Sequence, residues 1–93
     1  MTNDPCDDRK HTNVYVTPGT APQTVTFVFT RLCGDIVICR LNKADGSTED
    51  QKVYAYGSNR CTFAKCAPGE TFDMYCPAAD NDSCSYVVTA TPA

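Results

Sequence analysis

The sequence predicts a single all-β domain in which seven short antiparallel strands form two sheets packed face to face. Three observations carry that prediction. Apolar residues alternate with polar ones over short runs, while helical periodicity is almost absent. Turn residues recur at short intervals along the chain, the spacing expected of a sandwich. Seven cysteines, at positions 6, 33, 39, 61, 66, 76 and 84, stand among only 93 residues. A chain of this length buries roughly 60–65% of the surface its unfolded form exposes, so its core needs reinforcement.

The elements follow in order. Asn13 to Thr17 reads as a first strand closed by Pro18-Gly19, and residues 1–12 as a polar N-terminal tail preceding a domain over 13–93. Thr24 to Thr30 alternates cleanly and sets Val25, Phe27 and Phe29 on one face. After Gly34-Asp35, the strand Ile36 to Leu41 is apolar on both sides. Asn42 to Asp50 is a polar loop around Asp45-Gly46, and Gln51 to Tyr56 a fourth strand. Arg60 to Phe63 is the fifth, Thr71 to Cys76 the sixth and Cys84 to Ala90 the seventh, with turns at Gly57-Ser58-Asn59 and Ala67-Pro68-Gly69.

The cysteines point to an oxidising compartment, because small secreted domains use disulfides to supplement thin cores. Zinc is not expected. Zinc ligands come in close pairs such as C-x2-C, whereas here no two cysteines are three apart and the one histidine, His11, lies in the tail. An oxygen-rich calcium site could be drawn from Asp80, Asn81 and Asp82 with Asp4, Asp7 and Asp8. Their spacing matches no EF-hand loop, and a solvated acidic turn explains them better, so no metal and no cofactor is expected. The net charge of −3 and the absence of a basic patch exclude a phosphate-tracking surface, and no nucleic acid partner is expected. No run reaches the ~18 apolar residues of a membrane span, so direct membrane insertion is not expected. Catalysis needs a base beside a nucleophile, and His11 is the only imidazole. Asp45, Glu49 and Asp50 form a solvated turn rather than a hydrolytic carboxylate pair, and no glycine-rich phosphate loop exists. Binding, not catalysis, is the expectation.

Two segments resemble the fibronectin type III family of immunoglobulin-like sandwiches. Val25 to Phe29, through Gly34-Asp35-Ile36 to Cys39-Arg40-Leu41, is similar to that family's B strand, B–C loop and C strand. Cys61 to Met74, with Cys66-Ala67-Pro68-Gly69, is similar to its E strand, Pro-Gly corner and the start of its F strand. The chain departs from the family where Phe29 stands at the buried Trp position, Cys66 at the corner Leu, Phe72 at the corner Tyr and Cys39 at the C-strand aromatic. A cystine filling the space left by those core side chains would reconcile the departures with the fold. The resemblance implies the pairs Cys39–Cys66, Cys76–Cys84 and Cys33–Cys61, with Cys6 odd. The rival scheme has Cys6 capture Cys33 or Cys84, leaving Cys61 or Cys76 unpaired.

The resemblance also implies an outer C′–C–F–G face, on which alternation sets Ile38, Tyr54, Tyr56, Tyr75 and Tyr86 as a candidate protein-binding stripe. The competing explanation is ordinary cross-strand pairing of half-exposed tyrosines. The expected role is an extracellular adhesion or receptor-ectodomain module, beside neighbouring domains of a longer secreted or membrane-anchored chain, with a protein partner. The alternatives are a free-standing secreted cystine-rich effector, toxin or inhibitor, and a purely structural spacer. Asn81-Asp82-Ser83 is the single N-glycosylation sequon. Secretion from a glycosylating host should therefore give a chain whose mass falls on treatment with peptide N-glycosidase, and Asn81→Gln should abolish that shift; an unchanged wild-type mass rules the modification out.

Overall fold

The structure, a computed structural model, describes residues 10–32, 36–54, 57–75 and 85–93. They form seven strands: β1 (Lys10–Val16), β2 (Gln23–Arg31), β3 (Ile36–Asn42), β4 (Thr48–Tyr54), β5 (Arg60–Cys66), β6 (Thr71–Tyr75) and β7 (Ser85–Pro92). There is no helix among the described residues. Two antiparallel sheets result, ordered β1-β6-β3-β4 and β5-β2-β7.

Alternation decides what each strand buries. Val25, Phe27 and Phe29 of β2 meet Val37, Cys39 and Leu41 of β3, Val53 of β4, and Phe72 and Met74 of β6 in one core. Phe27 is fully buried, and its ring lies 5.3 Å from Phe72, 6.4 Å from Phe63, 6.3 Å from Tyr15 and 6.0 Å from Tyr86. Most of these contacts are tilted or edge-on, the geometry that the ring quadrupole favours.

Three register shifts interrupt the ladders of the described residues, one of them between Phe29 and Arg31 where β2 meets β7, and the other two re-aim side chains. Between Gln23 and Val25 of β2, the partner strand runs from Cys66 back to Phe63, three steps against two. The extra residue is a β-bulge with Lys65 at φ 55°, and it returns Cys66 to the inner face that Cys61 and Phe63 already occupy. In β1, His11 to Tyr15 spans four residues while β6 spans two, Met74 to Phe72. Asn13, at φ 54°, lies within that arch, and its N–H donates to Asp73 Oδ1 at 3.0 Å. Asp73 is buried in consequence, although alternation with Phe72 and Met74 sets it on the outer face.

The hairpin between β3 and β4 is tighter than the expected loop Asn42–Asp50. Lys43 N–H donates to Ser47 O and Gly46 N–H to Lys43 O, and Asp45 Oδ1 accepts from the Ser47 amide and hydroxyl. Gly46 takes φ 90°, which the turn requires. Thr48 to Asp50 therefore pair with β3 as strand, their polarity suiting a sheet edge. At the 67–70 corner no tyrosine hydroxyl is needed. Thr17, buried, donates from both its N–H and its hydroxyl to Glu70 O, at 2.8 and 2.9 Å, and accepts from Gly69 N–H.

The edge strands correct the expected arrangement. β6 lies between β1 and β3, and β7 pairs along its length with β2, so β7 does not extend the β4-β3-β6 sheet. β6 and β7 thus belong to different sheets and do not pair with each other, and the expected Cys76–Cys84 pair lies outside the described residues. β1 begins at Lys10, three residues before the expected domain start at Asn13. Phe27→Ala should cost about 3–5 kcal/mol, a large part of the stability of a small domain, and leave little folded protein in urea titrations at 25 °C; a loss under 1 kcal/mol would contradict the central place of this ring.

Candidate protein-binding face

The solvent side of the β1-β6-β3-β4 sheet gathers the most distinctive exposed side chains among the described residues. On β3, the positions between Val37, Cys39 and Leu41 are Ile36, Ile38 and Arg40, and all three are half-buried. The antiparallel register sets Tyr54 opposite Ile36 and Lys52 opposite Ile38 on β4, with Tyr75 opposite Ile38 on β6. Tyr54 is 52% exposed, more than an ordinary sheet tyrosine packed under neighbours would be.

Arg40 fixes one border of this patch. Its Nε and an Nη donate to the two carboxylate oxygens of Asp50 at 2.7 and 2.9 Å, a forked pair across the β3–β4 ladder. A second Nη donates to the Tyr75 hydroxyl at 2.9 Å, and the guanidinium carbon sits 4.8 Å from the Tyr75 ring centroid. Asp73 is the cross-strand neighbour of Arg40 on β6. The Asp50 bonds raise the Arg40 pKa above its ordinary value despite the opposing effect of burial. In return, hydrogen bonding from Arg40 holds the Asp50 carboxyl below the usual carboxylate value. Tyr75 is thereby oriented rather than free to rotate, and the patch is organised before any partner arrives.

Of the five residues expected in the stripe, Ile38, Tyr54 and Tyr75 do come together here. Tyr56 lies outside the described residues. Tyr86 is a correction: it belongs to β7 in the other sheet, and its ring packs inward at 5.5 Å from Phe29 and 6.0 Å from Phe27. Burial raises its pKa, with the Cys39 sulfur adding to that effect. Arg40 was the residue missing from the expected stripe, although its place two residues beyond Ile38 puts it on the same face. Asp50 follows only from the hairpin register, which the polar sequence of 42–50 does not reveal.

The cysteines divide in two groups. Cys6, Cys33, Cys76 and Cys84, like Asn81, lie outside the described residues. Cys39, Cys61 and Cys66 are all buried, each with a free thiol. Cys66 donates to Phe63 O at 3.4 Å, and burial pushes its thiol up. It is five residues from Cys61 along β5, roughly 15 Å at the ordinary strand rise. The sulfur that Cys39 meets is that of Cys61. No cluster of three or more His, Cys, Asp or Glu side chains suited to a metal occurs among the described residues.

No family model, curated protein or solved structure matches the chain.

The Arg40–Asp50 pair gives the face a pH signature. Asp50 has its folded pKa depressed, so the stabilisation is complete above the unfolded carboxylate value of about 3.9 and is lost as pH falls through the lower folded value. With the side chains 32% and 37% exposed, the pair is worth only about 0.2–1 kcal/mol. Arg40→Met should thus lower the urea midpoint more at pH 6 in low salt than at pH 2; an equal loss at both pH values would assign the effect to the Tyr75 contact and the packing of the Arg40 stem instead.

Proposed function

We propose that this domain is an extracellular protein-binding module, of adhesion or receptor-ectodomain type, within a longer secreted or membrane-anchored protein, and that it engages its partner through the outer face of β3, β4 and β6. The observation that carries the reading is the contiguous Ile36, Ile38, Tyr54 and Tyr75 surface bordered by an anchored Arg40. Tyrosine and arginine are the side chains enriched where interfaces concentrate binding energy, and the centre of this patch holds no acidic group. A charge-bearing solvated face would need none of this apolar content.

The extracellular part of the reading rests on the seven cysteines, which suit a disulfide-stapled domain in an oxidising compartment. Kinship with fibronectin type III domains is supported by the inner strands. β5 beside β2, and β6-β3-β4 in that order, correspond to the B–E and C′–C–F neighbourhoods that the resemblance implies. The first and last strands have exchanged sheets relative to that family, which makes this a variant arrangement. The role proposed is recognition, with no catalytic step.

A bead-multimerised form of the domain, screened against an array of cell-surface and secreted ectodomains, tests the proposal. A bound ectodomain should be lost at least 10-fold with Tyr54→Ala and with Ile38→Ser, both on an exposed or half-exposed face and both tolerated by the fold. Binding that survives both substitutions would move the site elsewhere, and an array without any binder would overturn the recognition role.

A further inference from the structure

Cys39 and Cys61 stand on the inner faces of opposite sheets, β3 in one and β5 in the other, in a core whose other members are Phe, Leu, Val and Met side chains and Cys66. Both are buried, Cys39 completely and Cys61 to 4% exposure. Their thiols contact each other, and that contact is the largest influence on both. The edge beside them is closed by a side-chain bond in the same register. Gln51, the cross-strand partner of Cys39, donates from Nε2 to the carbonyl of Thr62, the residue after Cys61, at 2.5 Å. β4 of one sheet and β5 of the other are therefore drawn together at this level.

Sheets in a sandwich lie about 10 Å apart, while a disulfide needs Cα atoms about 4.4–6.8 Å apart. Two opposed cysteines are informative beside the Gln51–Thr62 bond that joins the sheets, because every other core position except Cys66 is filled by a larger side chain. A thiol pair left reduced would bury two weakly hydrogen-bonding groups where a methyl-bearing residue packs equally well.

We propose that Cys39 and Cys61 form the inter-sheet cystine of this domain, a covalent site closed by thiol–disulfide exchange with a low-molecular-weight disulfide such as oxidised glutathione. Cys66 remains the thiol of the core. The order of events follows from the surroundings of the two sulfurs. Hydrogen bonding from Cys39 lowers the Cys61 pKa, whereas the contact with Cys61 and then burial raise that of Cys39, so Cys61 is the thiol that ionises first.

Cys61, having released its proton to solvent, attacks one sulfur of the small disulfide. The S–S bond of the reagent breaks, one glutathione leaves as thiolate and takes up a proton, and Cys61 is held as a mixed disulfide. Cys39 then loses its proton to solvent and attacks Cys61 Sγ, expelling the second glutathione. Two protein thiols are oxidised by two electrons, and one disulfide reagent is reduced to two thiols. Both sulfurs are buried in the finished fold, so the exchange belongs to the late step of folding in which the two thiols already meet but the sheets have not yet closed over them, and the finished bond is shielded from reductants.

The test is oxidative refolding of the full chain from denaturant in a buffer of reduced and oxidised glutathione, followed by isolation of the folded species, blocking with N-ethylmaleimide in denaturant so that buried thiols react, and digestion with trypsin and Asp-N. Cleavage after Arg40, Arg60 and Lys65 and before Asp35 and Asp73 isolates Asp35–Arg40, Cys61–Lys65 and Cys66–Phe72, each holding one cysteine. The expected product is Asp35–Arg40 disulfide-linked to Cys61–Lys65 in the major folded species, with Cys66–Phe72 carrying the maleimide. Linkage of Cys39 or Cys61 to any other cysteine, or recovery of both in blocked form from folded protein, overturns the proposal. The map uses the wild-type chain, so no variant has to fold, and its outcome is independent of whether the outer face binds a partner.

Discussion

Phe27 is the point at which five of the seven strands meet. Carried by the middle strand of the three-stranded sheet, its ring touches Tyr15 of β1, Phe63 of β5, Phe72 of β6 and Tyr86 of β7. Phe63 and Phe72 close a triangle with it at 5.2 Å from each other. A domain of this size has few side chains able to span the gap between sheets, and aromatic rings bury the most surface per residue ordered. The relative position of the two sheets is set by these rings, and every exposed surface inherits that position.

The outer face depends on the same constraint through β6. Phe72 and Met74 lock β6 into the core, which leaves Tyr75 to turn outward beside Ile38. β1 then arches over Asp73 with two extra residues, and the Asn13 amide donates to that buried carboxylate. Arg40, flanked by Asp50 and Asp73 across its two ladders, is held between them and carries Tyr75 with it. Packing inside and charge pairing outside thus converge on the three strands β3, β4 and β6, which present the proposed binding surface.

The thin core explains why cysteines occupy it. Cys39, Cys61 and Cys66 take inner positions beside Phe, Leu, Val and Met side chains. Their distribution is governed by the Lys65 bulge, because without the extra residue Cys66 would point to solvent. That single irregularity separates a thiol at the corner from the thiol that faces Cys39.

Much of this was legible in the sequence, since it rests on local periodicity. The strands at 24–30, 36–41 and 71–75 and their inward residues Val25, Phe27, Phe29, Val37, Cys39, Leu41, Phe72 and Met74 follow from alternation alone, as does the outward placement of Ile38, Tyr54 and Tyr75. What alternation cannot carry is which strand lies beside which. The membership of β7 beside β2, and hence the inward turn of Tyr86, is decided by a connection between sheets that leaves no mark on the strand's own pattern. Bulges are equally silent, because the left-handed Lys65 and Asn13 are not glycines and nothing around them announces an extra residue. The sequence by itself determined a two-sheet β domain and the face each side chain takes on its own strand. Only the tertiary structure decided the partners across strands and sheets, including Asp50 for Arg40 and Cys61 for Cys39, because those depend on register and sheet contact over tens of residues, where local periodicity has no reach.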